Sequence, residues 1–164
     1  MFRNTIGQPA LACLVVYATS TVFSAAHAEC RTVRGALEET QVTGPACASP
    51  VNLCTVAHLV GHLKGDARFT AASVQPTADT PTTGVVFVTG DTTITDARLG
   101  GKRGTLLVKN AAAFRTVGDG DLADVQIIIG GTGDFAAASG SLRVSGNFFA
   151  GAGTATFEGS VCLP

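Results

Sequence analysis

The stretch Thr154-Ala155-Thr156-Phe157-Glu158-Gly159-Ser160-Val161 near the end of the chain alternates apolar and polar side chains. Ala155, Phe157 and Val161 fall on one face of an extended chain, while Glu158 and its hydroxyl-bearing neighbours fall on the other. Successive side chains of a β-strand point to opposite faces of the sheet. The pattern therefore predicts a strand with one buried face and with Glu158 outside.

Similar β-prone runs recur along the chain and are separated by Gly, Pro, Asn and Asp. They cover residues 32–42, 54–64, 67–74, 85–89, 92–99, 105–109, 122–129 and 142–149, with 154–162 as a ninth. Glycine-containing turns are expected at 89–91, 118–121 and 151–153, and 75–84 is the longest loop, with Pro76 and Pro81 breaking pairing there. Residues 56–63 also fit helical spacing, but Gly61 and Gly65 favour a strand. The spacing predicts an antiparallel sandwich or barrel, and we expect an all-β, up-and-down barrel of about eight strands.

Residues 1–28 have the features of a secretory signal peptide. Arg3 precedes an apolar stretch from Ala10 to Phe23, and Ala26-His27-Ala28 gives the small-x-small pattern of a cleavage site. The apolar stretch of ~14 residues is shorter than the roughly 20 that a membrane-spanning helix needs. We therefore expect cleavage near Ala28/Glu29, a single barrel domain over residues 29–164, no membrane span, and a secreted or periplasmic protein.

The composition limits the classes of function. The 164 residues are 46% hydrophobic and 14% charged, with a net charge of −1. This mixture is too apolar for disorder and too poor in Leu, Glu and Lys for a helical bundle. The chain also lacks the basic excess of a nucleic-acid-binding domain, so no nucleic-acid partner is expected.

Four cysteines remain after the predicted leader, and their even number in an oxidising compartment favours two disulfides over a metal site. In an up-and-down barrel the first and last strands pair antiparallel, which brings Cys30 opposite Cys162. Cys47 and Cys54 lie at the far end of the first strand. We therefore expect the disulfides Cys30–Cys162 and Cys47–Cys54, since the other connectivities stretch across the barrel.

A glycine-rich segment, residues 125–140, runs from an apolar strand towards another strand. A dinucleotide-binding loop is excluded because a strand, rather than a helix, follows it. The residue pattern predicts a hairpin in which glycines adopt positive φ and Phe135 packs back as a plug. The segment resembles the Gly-Gly-Thr-Gly-x-Phe motif of the allene oxide cyclase and dirigent superfamily, and the matching residues are Gly130, Gly131, Thr132, Gly133, Phe135, Ala138 and Gly140.

The resemblance extends loosely over residues 49–54 and 151–162, which look like parts of secreted bacterial proteins with this barrel. It implies an eight-stranded barrel with an apolar cavity and, by resemblance only, a homotrimer. It implies no mechanism here, because the superfamily's catalytic acids, arginines and tyrosines stand in motifs that this sequence lacks. The only tyrosine, Tyr17, lies in the predicted leader.

Two further groups of residues match the patterns of metal sites only in part. His58 and His62 are one turn apart on a helix but about 13 Å apart on a strand, too far to share an ion. Asp119, Asp121 and Asp124 resemble a fragment of a calcium loop, but the Gly and distal Glu are missing, so a solvated turn is expected. We expect no metal and no cofactor.

Asp96 and Arg98 are the residues that we would test for catalysis. If Ile94 points inward, both share its face with Thr92, and they offer a buried polar ligand a carboxylate and a guanidinium. The alternative, which we favour, turns the face of residues 93, 97 and 99 inward and leaves the pair in solvent.

The sequence thus predicts a protein that binds a small apolar ligand in a barrel cavity. The alternatives are a cyclase or isomerase acting on a hydrophobic substrate in that cavity, and a purely structural secreted protein. A cavity above about 300 Å³ favours either of the first two, and charge pointing into it favours the enzyme.

Overall fold

The computed structural model describes residues 29–76 and 84–164. The predicted signal peptide, Pro81 and most of the predicted long loop lie outside the described residues. Eight strands account for most of the described residues: β1 Glu29–Val42, β2 Cys54–Gly61, β3 Leu63–Pro76, β4 Val85–Leu99, β5 Lys102–Arg115, β6 Asp121–Gly133, β7 Ser139–Phe149 and β8 Ala152–Leu163.

Each strand pairs antiparallel with the next, and β8 pairs antiparallel with β1, so the sheet closes into a barrel. The all-β, up-and-down barrel of eight strands is therefore confirmed. One 3₁₀ turn, Gly44–Ala46, lies between β1 and β2. Within the described ranges, no helix has the length and apolar character needed to cross a membrane.

The predicted turn at residues 89–91 is wrong, because β4 runs through it and joins two predicted strands. Gly90 pairs with Ala71 on one side and with Asn110 on the other. A side chain at Gly90 would collide with the Phe69 ring and the Thr70 carbonyl oxygen. Glycine is therefore needed here for close packing inside a strand.

Two other predicted boundaries shift. The predicted strand over 54–64 ends at Gly61, whose φ is 132°, and β3 begins at Leu63. At the other end of β3, Gln75 and Pro76 still pair with β4, so this part of the predicted loop is strand. The predicted turns at 118–121 and 151–153 are confirmed in part: residues 118–120 and Gly151 lie between strands, whereas Asp121 begins β6 and residues 152–153 belong to β8.

A bulge in β4 changes which side chains point into the barrel. The pairing with β5 shifts between Ile94 and Ala97, and Asp96 in the bulge has a φ of 49°. Thr92 and Ile94 are buried before the bulge, and Ala97 and Leu99 are buried after it. Neither of the two faces considered from sequence is therefore inward along the whole strand, since an extra residue reverses the alternation.

Both predicted disulfides are present. The Cys30–Cys162 bond joins residues that face each other across the β1–β8 pairing. The Cys47–Cys54 bond closes the loop between β1 and β2. In this loop the buried Ser49 donates a hydrogen bond to the Ala71 carbonyl at 2.7 Å.

The two ends of the barrel differ. At the plugged end, defined by the β6–β7 connection at residues 133–139, Phe135 is completely buried in the apolar core. Gly133 has a φ of 60°, and the Phe135 amide donates to the Thr132 carbonyl at 3.1 Å, which turns the chain back into the barrel. The predicted hairpin with Phe135 as a plug is confirmed. We call the opposite end, at the β1–β2 loop, the cavity end.

Candidate functional site

The residues that the sequence analysis selected for catalysis lie on the outer surface. Asp96 and Arg98 are both exposed, because the bulge at Asp96 turns them away from the face of Thr92 and Ile94. They border an open depression together with His58 and Asp66. The expectation that they share a face with Ile94 is wrong, and the favoured alternative, that the pair is in solvent, is confirmed.

The histidines are also on the surface. His58 lies on β2, and its Nδ1 is 2.7 Å from the Asp66 Oδ1, with both side chains about two-thirds exposed. His62 follows β2 and is exposed. Among the described residues, no group of three or more His, Cys, Asp or Glu side chains is placed to hold a metal ion.

The interior contains a cavity of about 90 Å³ at the cavity end. Most of its wall is apolar, and inward-facing residues of seven strands and Leu53 from the β1–β2 loop contribute to it. The apolar lining residues are Leu37, Leu53, Ala57, Leu59, Ala67, Phe69, Val88, Ile94, Ala112, Phe114, Leu122, Val144 and Phe148.

Six polar side chains also line this cavity in two groups, one on β1 and β2 and one on β4 to β6, and we call them together the polar wall. It consists of Glu39 on β1, Thr55 on β2, Thr92 on β4, Asn110 on β5, and Asp124 and Gln126 on β6. Thr55, Thr92, Asn110 and Asp124 are buried, and Glu39 and Gln126 are partly buried. Barrel closure brings these side chains together from strands that are distant in sequence.

Hydrogen bonds connect most of the polar wall. The Thr92 hydroxyl donates to Asn110 Oδ1 at 2.9 Å, and Asn110 Nδ2 donates to Asp124 Oδ2 at 2.7 Å. Gln126 Nε2 donates to the same Oδ2 at 2.8 Å. In a second group, the Thr55 hydroxyl donates to Glu39 Oε1. Both groups thus end with donors directed at a carboxyl group.

Asp124 is the least satisfied member of the polar wall. Its side chain is only 7% exposed, and its Oδ1 has no hydrogen-bond partner although Oδ2 accepts two bonds. Burial raises the pKa of Asp124, and the hydrogen bonds from Gln126 and Asn110, together with the nearby Ala111 backbone amide, oppose this by lowering it. A buried carboxylate oxygen without a donor is costly, so this atom is where a proton or a ligand is stabilised best.

Glu39 is the second carboxyl group of the polar wall. Burial raises its pKa, the hydrogen bond from Thr55 lowers it, and the negative charge of Asp124 raises it further. Two interacting carboxyl groups in a poorly solvated space hold protons more strongly than carboxyl groups in water. Such a pair can donate hydrogen bonds when protonated and can balance a positive charge when ionised.

The sequence analysis missed this site. Asp124 was assigned to a solvated turn with Asp119 and Asp121, which is wrong for Asp124 because β6 begins at Asp121 and turns Asp124 inward. The polarity of β6 is partly inverted here. Its inward side chains include Asp124 and Gln126, whereas the outward Val125, Ile127 and Ile129 are 49%, 47% and 55% exposed. The alternation of apolar and polar residues would by itself place Val125, Ile127 and Ile129 inside the barrel and Asp124 outside. The inward position of Asp124 can therefore be recognised only when the pairing register of β6 is known.

The comparisons with known proteins add no family assignment. The sequence matches no model of a known protein family, and no curated protein matches it.

Proposed function

We propose that this protein binds a small, largely apolar molecule inside its barrel. The observation that carries the proposal is the cavity, whose walls are apolar except for the polar wall. Eight-stranded barrels have room for one small ligand, and apolar pockets with a few convergent polar groups are the usual form of a small-molecule site. The polar wall then orients the ligand, and the apolar residues provide most of the contact area.

The volume limits the size of the ligand. Sites for drug-sized molecules have volumes of about 300–1,000 Å³. A cavity of about 90 Å³ is well below this range, so the volume of about 300 Å³ expected from the sequence for a ligand cavity is not reached, and the mixed apolar and polar lining supports the proposal instead. The cavity therefore fits a molecule of a few non-hydrogen atoms, or the end group of a longer ligand.

Native mass spectrometry of protein recovered from the secreted fraction tests the proposal directly. We expect a processed species that carries extra mass and loses it in organic solvent. Ala112 lines the cavity on β5, whereas its neighbour Ala111 is exposed on the outside of the same strand. Ala112→Leu fills the cavity and should abolish retention of the ligand, and Ala111→Leu should not.

Equal retention by both variants would contradict binding in the cavity. A bare species that takes up no fatty acid or small aromatic compound, whether or not Ala112 is replaced, would support a purely structural role. A thermal melt of each variant confirms that it is folded, so that a loss of binding is attributable to the cavity.

A second candidate function is that of a cyclase or isomerase. Charge inside the cavity favours it, and Glu39 and Asp124 supply that charge where Asp96 and Arg98 do not. A buried acid of raised pKa can protonate a reactive substrate near neutral pH. A reactive epoxide of the allene oxide type should then cyclise with an enantiomeric excess that Asp124→Asn removes. A racemic product would contradict this function.

The proposal also includes the cellular compartment and the oligomeric state of the protein. The two disulfides suit a secreted or periplasmic protein, as the signal-peptide pattern indicates. Val125, Ile127 and Ile129 are half-exposed on the outer face of β6, and this apolar stripe supports self-association. The same mass spectrum reports the number of subunits, with a trimer as the expected number, and Ile127→Lys should reduce it.

A further inference from the structure

We infer that the ligand of the cavity is a small organic cation, an ammonium group with an apolar body, which is held by the carboxyl groups of Asp124 and Glu39. The inference rests on the proposed function and adds the chemical class of the ligand. It depends on three features of the cavity, namely its charge balance, its aromatic lining and the direction of its hydrogen bonds.

Among the described residues, the ionisable side chains that line the cavity are all acidic. Two carboxyl groups line it, and none of the described lining residues is Lys, Arg or His. Within residues 29–76 and 84–164, titratable groups face the cavity only from β1 and β6, because the lining residues from β2, β3, β4, β5 and β7 are apolar, hydroxyl or amide side chains. Buried charges in proteins are normally paired. A cationic ligand supplies the missing partner, and a ligand carboxylate would be repelled.

Asp124 indicates where in the cavity the cationic group of the ligand would bind. It is more than nine-tenths buried, lines the cavity, and has a carboxylate oxygen, Oδ1, without a hydrogen bond. Its other oxygen is already bonded to Asn110 and Gln126, which hold the carboxyl group in one orientation. An N–H group of a ligand can complete the set at Oδ1.

The aromatic lining favours a cation as well. Phe69 on β3, Phe114 on β5 and Phe148 on β7 all contribute to the wall of the same cavity. Aromatic rings attract ammonium groups through the negative potential of their faces, and several rings together form the cages that bind alkylated ammonium ions. The apolar body of the ligand gains dispersion contacts from the same rings.

The directions of the hydrogen bonds in the polar wall explain why a neutral ligand that only accepts hydrogen bonds should bind less tightly than a cation. The donors of Thr55, Asn110 and Gln126 are directed at the two carboxyl groups, and the Thr92 hydroxyl is directed at Asn110. The buried side-chain atom that lacks a hydrogen-bond partner is an acceptor, Asp124 Oδ1. A ligand that offers only acceptors leaves this oxygen without a partner and depends on the second N–H group of Asn110 or Gln126.

An isosteric series of probes tests the inference by calorimetry at neutral pH. The series consists of tert-butylammonium, tetramethylammonium and tert-butanol, which have the same number of non-hydrogen atoms and differ in charge and in donor groups, and of pivalate, a larger anion with the same tert-butyl body. We expect tert-butylammonium to bind at least about tenfold more tightly than tert-butanol. Tetramethylammonium should fall between them because it keeps the charge but lacks N–H donors, and pivalate should not bind.

Three variants connect the preference to the carboxyl groups. Asp124→Asn and Glu39→Gln each remove one charge from the cavity with little change in shape, and each should reduce the ratio of ammonium to alcohol affinity by fivefold or more. Glu38 is the adjacent residue on β1 and is exposed on the outer face, so Glu38→Gln is the matched control and should leave the ratio unchanged.

The outcomes separate this inference from the proposed function. If tert-butanol binds as tightly as tert-butylammonium, or if both cavity variants keep the full preference, the cationic ligand is wrong and cavity binding stands. If all four probes fail to bind while ligand from the secreted fraction is retained, the cationic class is likewise overturned. If no probe binds and no ligand is retained, both proposals fall.

Discussion

The plugged end and the cavity end are built from the same eight strands but are filled in opposite ways. At the plugged end the interior is apolar, and Phe135 closes it with no exposed surface. At the cavity end six polar side chains point into the interior, and a space of about 90 Å³ remains. An unfilled space and an unsatisfied carboxylate oxygen reduce stability, so the cavity end depends on the plugged end to keep the barrel folded.

Removal of the Cys30–Cys162 bond should have the largest effect. This bond links residues 132 apart in the chain, whereas Cys47–Cys54 links residues 7 apart. The loop-entropy relation gives a loss of about 5 kcal/mol in the free energy of unfolding for the long loop and about 2.5 kcal/mol for the short one. Urea denaturation of the two double serine variants measures both values, and an equal loss would contradict the comparison.

Truncation of Phe135 should have the next largest effect. Phe135→Ala leaves a space in a fully buried part of the core and should lower the free energy of unfolding by about 3–5 kcal/mol. Phe148 borders a space that already exists and is only partly buried, so Phe148→Ala should cost clearly less. The two variants are compared by the same denaturation, and a larger loss for Phe148→Ala would reverse the roles of the two ends.

The carboxyl groups at the cavity end predict an unusual dependence of stability on pH. The pKa values of Asp124 and Glu39 are raised in the folded protein, so above their unfolded values the folded state binds more protons than the unfolded state. The contribution of these two groups to the free energy of unfolding should therefore be fully present below the ordinary carboxyl pKa of about 4 and should be lost as the pH rises through the raised values.

Asp124→Asn should flatten this dependence. At about pH 8 it should also stabilise the protein by roughly 1–2 kcal/mol, because it removes a buried charge with an unpaired oxygen. Glu38→Gln is the control and should change neither the slope nor the stability. Denaturation curves at several pH values provide the measurement, and a stability that rises from pH 4 to pH 8 in the same way in all three proteins would contradict the assignment.

The smallest effects are expected on the outer surface. Asp96→Asn keeps a residue type that tolerates positive φ, and Arg98→Ala removes an exposed side chain, so each should change stability by no more than about 0.5 kcal/mol. Both variants should bind the probes like the unmodified protein. A selective loss of binding in either one would move the functional site from the cavity to the outer depression.

Much of the fold was predictable because its signals are local. Alternation in residues 154–161, glycines at the turns and the even number of cysteines led to the barrel and to both disulfides. Phe135 was recognised as a plug because glycines surround it in sequence. The boundaries at residues 89–91 were wrong because a glycine that serves close packing in β4 looks the same in sequence as a glycine in a turn.

The candidate site was not predictable in the same way. Glu39 and Asp124 are 85 positions apart in the sequence, on β1 and β6, and barrel closure alone brings them to one cavity. Asp124 also lies on a strand whose outward side chains are the more apolar ones at Val125 and Ile127. Periodicity indicates which residues share a face, but it does not indicate which face is inside.

The sequence by itself therefore determined the class of fold, the number of strands, the disulfides and the plugged end, since these depend on neighbours along the chain or on the order of the strands. Only the tertiary structure decided which face of β4 and β6 points inward, because the bulge at Asp96 and the pairing across the closed barrel set that orientation. The presence of the two carboxyl groups in the cavity depends on this orientation, because a shift of one residue exchanges the interior and exterior side chains of a strand.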